Sequence, residues 1–168
     1  MNSFHFTIPG ACRTKKTSNR IVQIKGKNGG RGFTKILPSE AHEAWYAAAM
    51  LWAPQICREL EAGGLRLPIT APVEVEAIFY RDRESGDLLG YEQALADWMQ
   101  ADRWTKPQPG KRTKLIRKGA GIIDDDKMIV SWDGSRLAKD AARPRIEVTV
   151  YVLEPEQVAL ELAEVMNK

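Results

Sequence analysis

The sequence predicts an α+β fold, a small mixed β-sheet flanked by helices in a single domain. Three observations predict it. Segments of period two are interspersed with segments of helical period, without the regular βα alternation of a doubly wound sheet. The length of 168 residues suits one domain. Apolar residues make up 43% and charged residues 28%, a balance that allows a sizeable core.

The elements follow in order. Phe4, Phe6 and Ile8 alternate with Ser3, His5 and Thr7, a half-buried strand that Pro9-Gly10 ends. Alternation over residues 21–25, followed by Lys27-Asn28-Gly29-Gly30, predicts a short hairpin. Pro38-Ser39-Glu40 opens a helix, with Ser39 as N-cap and Glu40 and Glu43 at the positive end of the dipole. Its periodicity runs through Trp45, Ala49 and Trp52. Pro54 is expected to kink or interrupt it, and Gly63-Gly64 to stop it. Residues 73–80 alternate as a strand. Asp87 stands where an N-cap belongs, ahead of Leu88, Tyr91, Leu95 and Trp98 at helical spacing. Residues 102–120 carry Pro107, Pro109, Gly110 and Gly119 and read as a long mobile loop or arm. Residues 128–132 read as a short strand and residues 145–153 as the clearest strand of the chain. Residues 156–166 have the apolar spacing of an amphipathic helix through Val158, Leu162 and Val165.

Several function classes drop out. The longest nearly uncharged apolar run, residues 44–54, is too short to span a bilayer. No basic segment leads into an apolar one at the N-terminus, so a secretory signal is not expected. Cys12 and Cys57 match no metal or redox spacing, and a reduced, cytoplasmic setting is the expectation. No phosphate-binding Gly-rich loop leads into a helix, and no Ser–His or Cys–His constellation is present. His5 and His42 read as packed or solvated. Neither a membrane nor a small-molecule cofactor is predicted.

The net charge of +3 hides an uneven distribution. Residues 1–39 hold Arg13, Lys15, Lys16, Arg20, Lys25, Lys27, Arg31 and Lys35 without one acid. Residues 103–118 add Arg103, Lys106, Lys111, Arg112, Lys114, Arg117 and Lys118, again without an acid. The acids gather at Asp124-Asp125-Asp126 and in the C-terminal tail. Two basic segments beside a compact acidic cluster point to a polyanion partner and a cation held between them. Solvated basic loops are the plainer alternative.

Carboxylates are the remaining carriers of chemistry. Three adjacent ones repel unless they are solvated, spread apart or bound to a cation. In an extended segment Asp124 and Asp126 share one face and Asp125 takes the other. Such hard oxygen ligands suit Mg²⁺ or Mn²⁺, which bind through one or two carboxylates and keep water for a substrate phosphate. An Asp-rich solvated turn would look the same. Asp87 serves as an N-cap, and a carboxylate at that place also suits a metal.

At these residues the chain resembles the RusA family of Holliday junction resolvases, widespread in phages and prophages. The basic opening, Ile8-Pro9-Gly10 through Lys15-Lys16-Thr17-Ser18-Asn19-Arg20, and the helix start Pro38-Ser39-Glu40-Ala41-His42-Glu43-Ala44-Trp45 are similar to the family's P-x-S-K-N and P-S-x-x-Y-x-x-W/Y. The run from Asp87 to Asp97 is similar to its D-x-D-N-L-x-K-A-x-x-D. Gly121-Ile122-Ile123-Asp124-Asp125-Asp126-Lys127-Met128-Ile129 is similar to its G-x-x-x-D-D-x-Q-V.

The resemblance implies a nuclease domain over residues 1–153, with the basic arm 102–120 inserted and a C-terminal helix over 154–168. It implies a homodimeric, Mg²⁺-dependent endodeoxyribonuclease that resolves branched DNA, encoded by a phage or prophage and working in the cytoplasm. Carried over by position, Asp87, Asp125 and Asp126 are its catalytic carboxylates. Asp87, Asp126 and Asp124 are the expected metal ligands, and Arg13, Lys15, Lys16, Lys111, Arg112, Lys114 and Lys127 the expected DNA contacts. The pattern's second aspartate falls on Leu89, its asparagine on Gly90 and its lysine on Gln93. Two readings follow: Asp124, Glu84 or Glu92 replaces the missing carboxylate and Lys127 or the arm the missing lysine, or the chain binds junction DNA without cutting it. A nuclease for flaps or single strands is a third.

Overall fold

The computed structural model describes residues 2–15, 19–25 and 32–153. It is an α+β fold, as expected, with one mixed five-stranded sheet, two small hairpins and two α-helices among the described residues. The sheet is built on β1 (Asn2–Pro9), β4 (Val73–Arg81) and β9 (Arg145–Val152). β9 lies between the other two and is antiparallel to both. The period-two pattern settles which face each strand buries. Phe6 and Ile8, then Val73, Val75, Ala77 and Phe79, then Ile146, Val148 and Val150 are all in the core. Their alternating neighbours, such as Glu74, Glu76, Glu147 and Thr149, stay partly exposed on the other side. The register sets Phe6 and Ala77 on either side of Val148.

The outer edge of β4 is shared by two short parallel strands. β7 (Ile129–Ser131) pairs with its start and β8 (Arg136–Lys139) with its end. Between them the ladder is bridged by a side chain: the Ser135 hydroxyl accepts from Ala77 N at 2.9 Å and lies 3.4 Å from Val75 O. The sequence reading missed β8. Its four residues are too short for a periodic signal, and parallel pairing is specified only by the finished sheet.

α1 (Glu40–Ala62) starts as expected. Ser39 accepts a hydrogen bond from His42 N, and Glu40 and Glu43 lie in the first turn. The expected break at Pro54 does not occur, and the helix runs through it. Ile56 and Leu60, both beyond the proline, are 3% and 4% exposed. Burying each is worth roughly 1.5–3 kcal/mol, against roughly 3 kcal/mol for a proline inside a helix. Packing therefore holds the helix together across Pro54. It also sets the buried stripe at Trp45, Ala49, Ala53, Ile56 and Leu60, leaving Trp52 exposed.

α2 (Leu88–Met99) is capped by Asp87, and Tyr91, Ala94, Leu95, Trp98 and Met99 enter the same core as α1. The predicted hairpin near the N-terminus is β2 (Arg20–Ile24) with β3 (Phe33–Leu37). Its proposed turn lies outside the described residues, as do Lys16 and the expected C-terminal helix. Residues 102–120 are not the irregular loop expected. β5 (Arg103–Trp104) and β6 (Leu115–Arg117) form an antiparallel hairpin. It narrows to a bridge between Gln108 and Lys111 around Pro109-Gly110, where Gly110 has φ 71°. Proline followed by a left-handed glycine is the residue pair of a type II turn, so the residues read as loop-formers instead make a tight hairpin tip.

Candidate functional site

Leu89, Glu92, Gln93 and Ala96 stand at i, i+3, i+4 and i+7, which places them on one face of α2. That face is mixed: Leu89 and Gln93 are exposed, Glu92 and Ala96 buried. It faces Asp126, Lys127, Ile129 and Trp132 across an open cleft of about 430 Å³.

The chain delivers Asp126 to this place by a chain of backbone hydrogen bonds. Ile122 N and Ile123 N both donate to Met99 O, at the end of α2. Ile69 N donates to Ile122 O, and Asp124 N to Ile69 O, just ahead of β4. Both isoleucines are fully buried. The acidic run thus leaves the core between α2 and the sheet edge. The run is not extended throughout. Asp125 is extended, but Asp126–Met128 is a 3₁₀ turn. Asp125 caps that turn, accepting from Lys127 N at 3.2 Å, and this hydrogen bond holds its carboxyl below the usual range. Asp124 and Asp126 are exposed.

Asp87 holds the start of α2, accepting from Gly90 N at 2.8 Å. A methyl group at residue 90 would meet this carboxylate oxygen at 2.7 Å and Thr14 at 3.1 Å. Glycine where the family pattern has asparagine lets the cap and the N-terminal segment close over the helix start. Asp87 lies outside the residues that line the cleft. Among the described residues, no three acidic, histidine or cysteine side chains are gathered as a metal group. Of the three expected ligands, Asp87 caps α2 and Asp126, at the start of the 3₁₀ turn, lines the cleft. What shares the cleft is Asp126 with Glu92.

Glu92 is 9% exposed, and burial pushes its carboxyl above the usual glutamate range. A poorly solvated carboxylate facing a second one in a cleft is what a cation or a proton-transfer role calls for. A two-carboxylate site with the Gln93 amide beside it fits Mg²⁺ or Mn²⁺, which bind through one or two carboxylates and retain water and phosphate ligands. The sequence reading named Glu92 only as one of three substitutes. The helical spacing of residues 89, 92, 93 and 96 was the signal that could have singled it out.

The basic residues divide into two groups. Arg13 forms a two-pronged pair with Asp82, at 2.9 and 2.6 Å, which holds the Asp82 carboxyl below its usual range. Lys15 is paired with Asp97, a residue only 8% exposed. Arg117 reaches the other oxygen of Asp97 at 3.2 Å, and Tyr46 donates to Lys118 O at 2.7 Å. Burial raises the Tyr46 hydroxyl to about 12, so it stays protonated as that donor. These contacts fasten the N-terminal segment to the end of β4 and to α2, and the root of the arm to α1 and α2. By contrast Lys111, Arg112, Lys114 and Lys127 are exposed and in no ion pair among the described residues.

No helix among the described residues is long and apolar enough to cross a membrane. In comparison with known proteins, no family model matches the chain and no curated protein matches it significantly.

Proposed function

We propose that the chain is a metal-assisted endodeoxyribonuclease for branched DNA, with Glu92 and Asp126 as the carboxylates of its site. The observation that carries this reading is the cleft itself. One face of α2 and the acidic turn, brought together from separate parts of the chain, set two carboxylates and the Lys127 ammonium around one opening. The positions at which the sequence departs from the resolvase pattern, Leu89 and Gln93, line that same opening. Their clustering with Asp126 supports the resemblance as a relation of sites and not only of scattered letters.

In this reading Asp126 and Glu92 would hold Mg²⁺ or Mn²⁺ and would orient the attacking water. The ion, when bound, would supply a lowered water pKa and neutralisation of charge on the phosphate. Asp87 acts indirectly, by fixing the first turn of α2 and so the direction of Leu89, Glu92 and Gln93. Lys127 and the exposed cations of the arm neutralise flanking phosphates.

A second reading, a junction-binding protein that does not cut, is favoured by Leu89. It presents an apolar side chain, 65% exposed, where the pattern has a carboxylate. A cleavage assay on a synthetic four-way junction, beside duplex and flap controls, separates the readings. Mg²⁺-dependent cutting of the junction is expected. No cutting at any Mg²⁺ or Mn²⁺ concentration overturns the enzyme, and preferential cutting of the flap reassigns its substrate. Symmetric resolution also needs two sites related by a twofold axis, hence two copies of the chain. Light scattering that shows only monomer, with and without junction DNA, removes the resolvase form of the proposal.

A further inference from the structure

The β5–β6 hairpin has a composition and shape that the cleft does not explain. On its stem, Trp104 and Leu115 are cross-strand partners. Partners share a face of a two-stranded ribbon, and here both are exposed, Trp104 by 54% and Leu115 by 42%. An exposed tryptophan on a hairpin contributes nothing to the core and carries an unfavourable contact with water. Beyond it, Thr105, Lys106, Gln108, Lys111, Arg112 and Lys114 surround an open concavity of about 440 Å³. A space of that size holds a nucleotide-sized group. None of its four cations is in an ion pair among the described residues.

The hairpin is also ordered by its own bonds. Thr105 N donates to Lys114 O at 2.8 Å, and Lys114 N to Thr105 Oγ1 at 2.8 Å. Its root is fixed by Arg117 on Asp97 and by Gly119 N on Asp102 at 3.0 Å. Gly119 passes so close to α2's end that a Cβ there would lie 1.8 Å from Gln100 O. Trp104 stands one residue ahead of Thr105, outside the lining of the concavity, so a chain laid along the hairpin edge meets a flat aromatic side chain and then unpaired cations.

We propose that this hairpin binds single-stranded DNA, with a base stacked on Trp104 and the neighbouring phosphates held by Lys106, Lys111, Arg112 and Lys114. Charge complementarity selects a polyanion. The aromatic face selects one with unstacked bases, because duplex bases offer no free ring face. The inference takes its polyanion from the nuclease reading above, but it does not depend on cutting. In a branched substrate the hairpin would meet the strands where pairing is interrupted.

The test measures binding of fluorescent oligothymidine and of a duplex of equal length to the full chain in EDTA, so that cleavage plays no part. The wild type is expected to favour the single strand. Trp104→Ala should weaken single-strand binding roughly 5- to 100-fold, the size of one lost base–aromatic stack, and leave duplex binding unchanged. Trp104→Phe, which keeps a ring, should restore most of the loss. Equal weakening of single-strand and duplex binding, or none, overturns the proposal, as does failure of Phe to restore binding. An anionic phospholipid vesicle is the remaining probe for a basic surface with exposed apolar side chains. Vesicle binding that depends on Trp104, without single-strand binding, would replace the proposal with a membrane contact. Single-strand binding without junction cleavage would leave this inference standing and remove only the catalytic reading.

Discussion

The cleft beside α2 and the β5–β6 hairpin depend on the same helix in different ways. The cleft uses its face, the hairpin its C-terminal end. The cleft is assembled over a long stretch of sequence: Glu92 and Asp126 meet only because residues 122–124 are bonded to Met99 and Ile69. It is acidic, and Glu92 is buried enough to disfavour its charge. The hairpin is local, closed by a four-residue tip, basic and exposed. A site that must hold a cation and move a proton gains from burial and rigid placement. A surface that gathers a polyanion gains from reach and unmatched charge. In the proposed reading the two regions divide chemistry from capture, and substitutions should separate them.

The largest effect is expected in the cleft. Asp126→Asn should lower the rate of junction cleavage by roughly 100-fold or more, the loss of several kcal/mol of metal-assisted stabilisation. Junction affinity in EDTA should hold or improve, since a negative charge near phosphate is removed. Parallel rate and binding measurements decide, and cleavage at the wild-type rate would take Asp126 out of the site.

On the hairpin side, replacing Lys111, Arg112 and Lys114 together with Ala should flatten the log–log salt dependence of DNA affinity by about 2–3 units, near 0.7–0.9 per lost phosphate contact. An unchanged slope across a salt titration would make the hairpin plain solvated surface. The rate of cutting at saturating DNA should not change.

A smaller change is expected from Leu89→Asp. If Glu92 and Asp126 complete the site, a third carboxylate crowds it, and cleavage stays flat or falls across a Mg²⁺ titration. A large gain would show that the wild-type site lacks a ligand.

The smallest effect concerns stability. The raised carboxyl of Glu92 means that the folded chain holds this proton more tightly than the unfolded chain. The folded state is therefore penalised above that raised value and relieved as pH falls through it. Glu92→Gln should leave Tm at neutral pH unchanged or raise it slightly. The difference should shrink on acidification, and the variant should cut more slowly. A lowered Tm at neutral pH would mean that the ionised Glu92 is held by favourable contacts.

Much of this architecture was legible. The three long strands and the caps at Ser39 and Asp87 follow from short-range patterns that burial and backbone hydrogen bonding impose directly. The failures share a cause. The path through Pro54, the hydroxyl of Ser135 between β7 and β8, and the pairing of Arg13 and Lys15 all depend on partners remote in sequence. Charge runs showed where cations gather, but not which are neutralised: Arg13 and Lys15 read the same as Lys111 and Arg112 until Asp82 and Asp97 come into place. In the cleft the aspartates were visible as a motif. Glu92 was less so, because its place in the cleft follows from which face of α2 meets the acidic turn.

Asp97 joins two features that the sequence keeps far apart. One of its oxygens takes Lys15, from the N-terminal basic segment, and the other takes Arg117, from the root of the hairpin. A single carboxylate is thus the common anchor of both positive stretches. Removing it would cost more than two ion pairs, because it would leave two cations facing each other without the charge that reconciles them. The position of the hairpin and the course of the first basic segment are for that reason one variable, not two. A change that displaces either is felt by the other through a group that need not touch DNA at all.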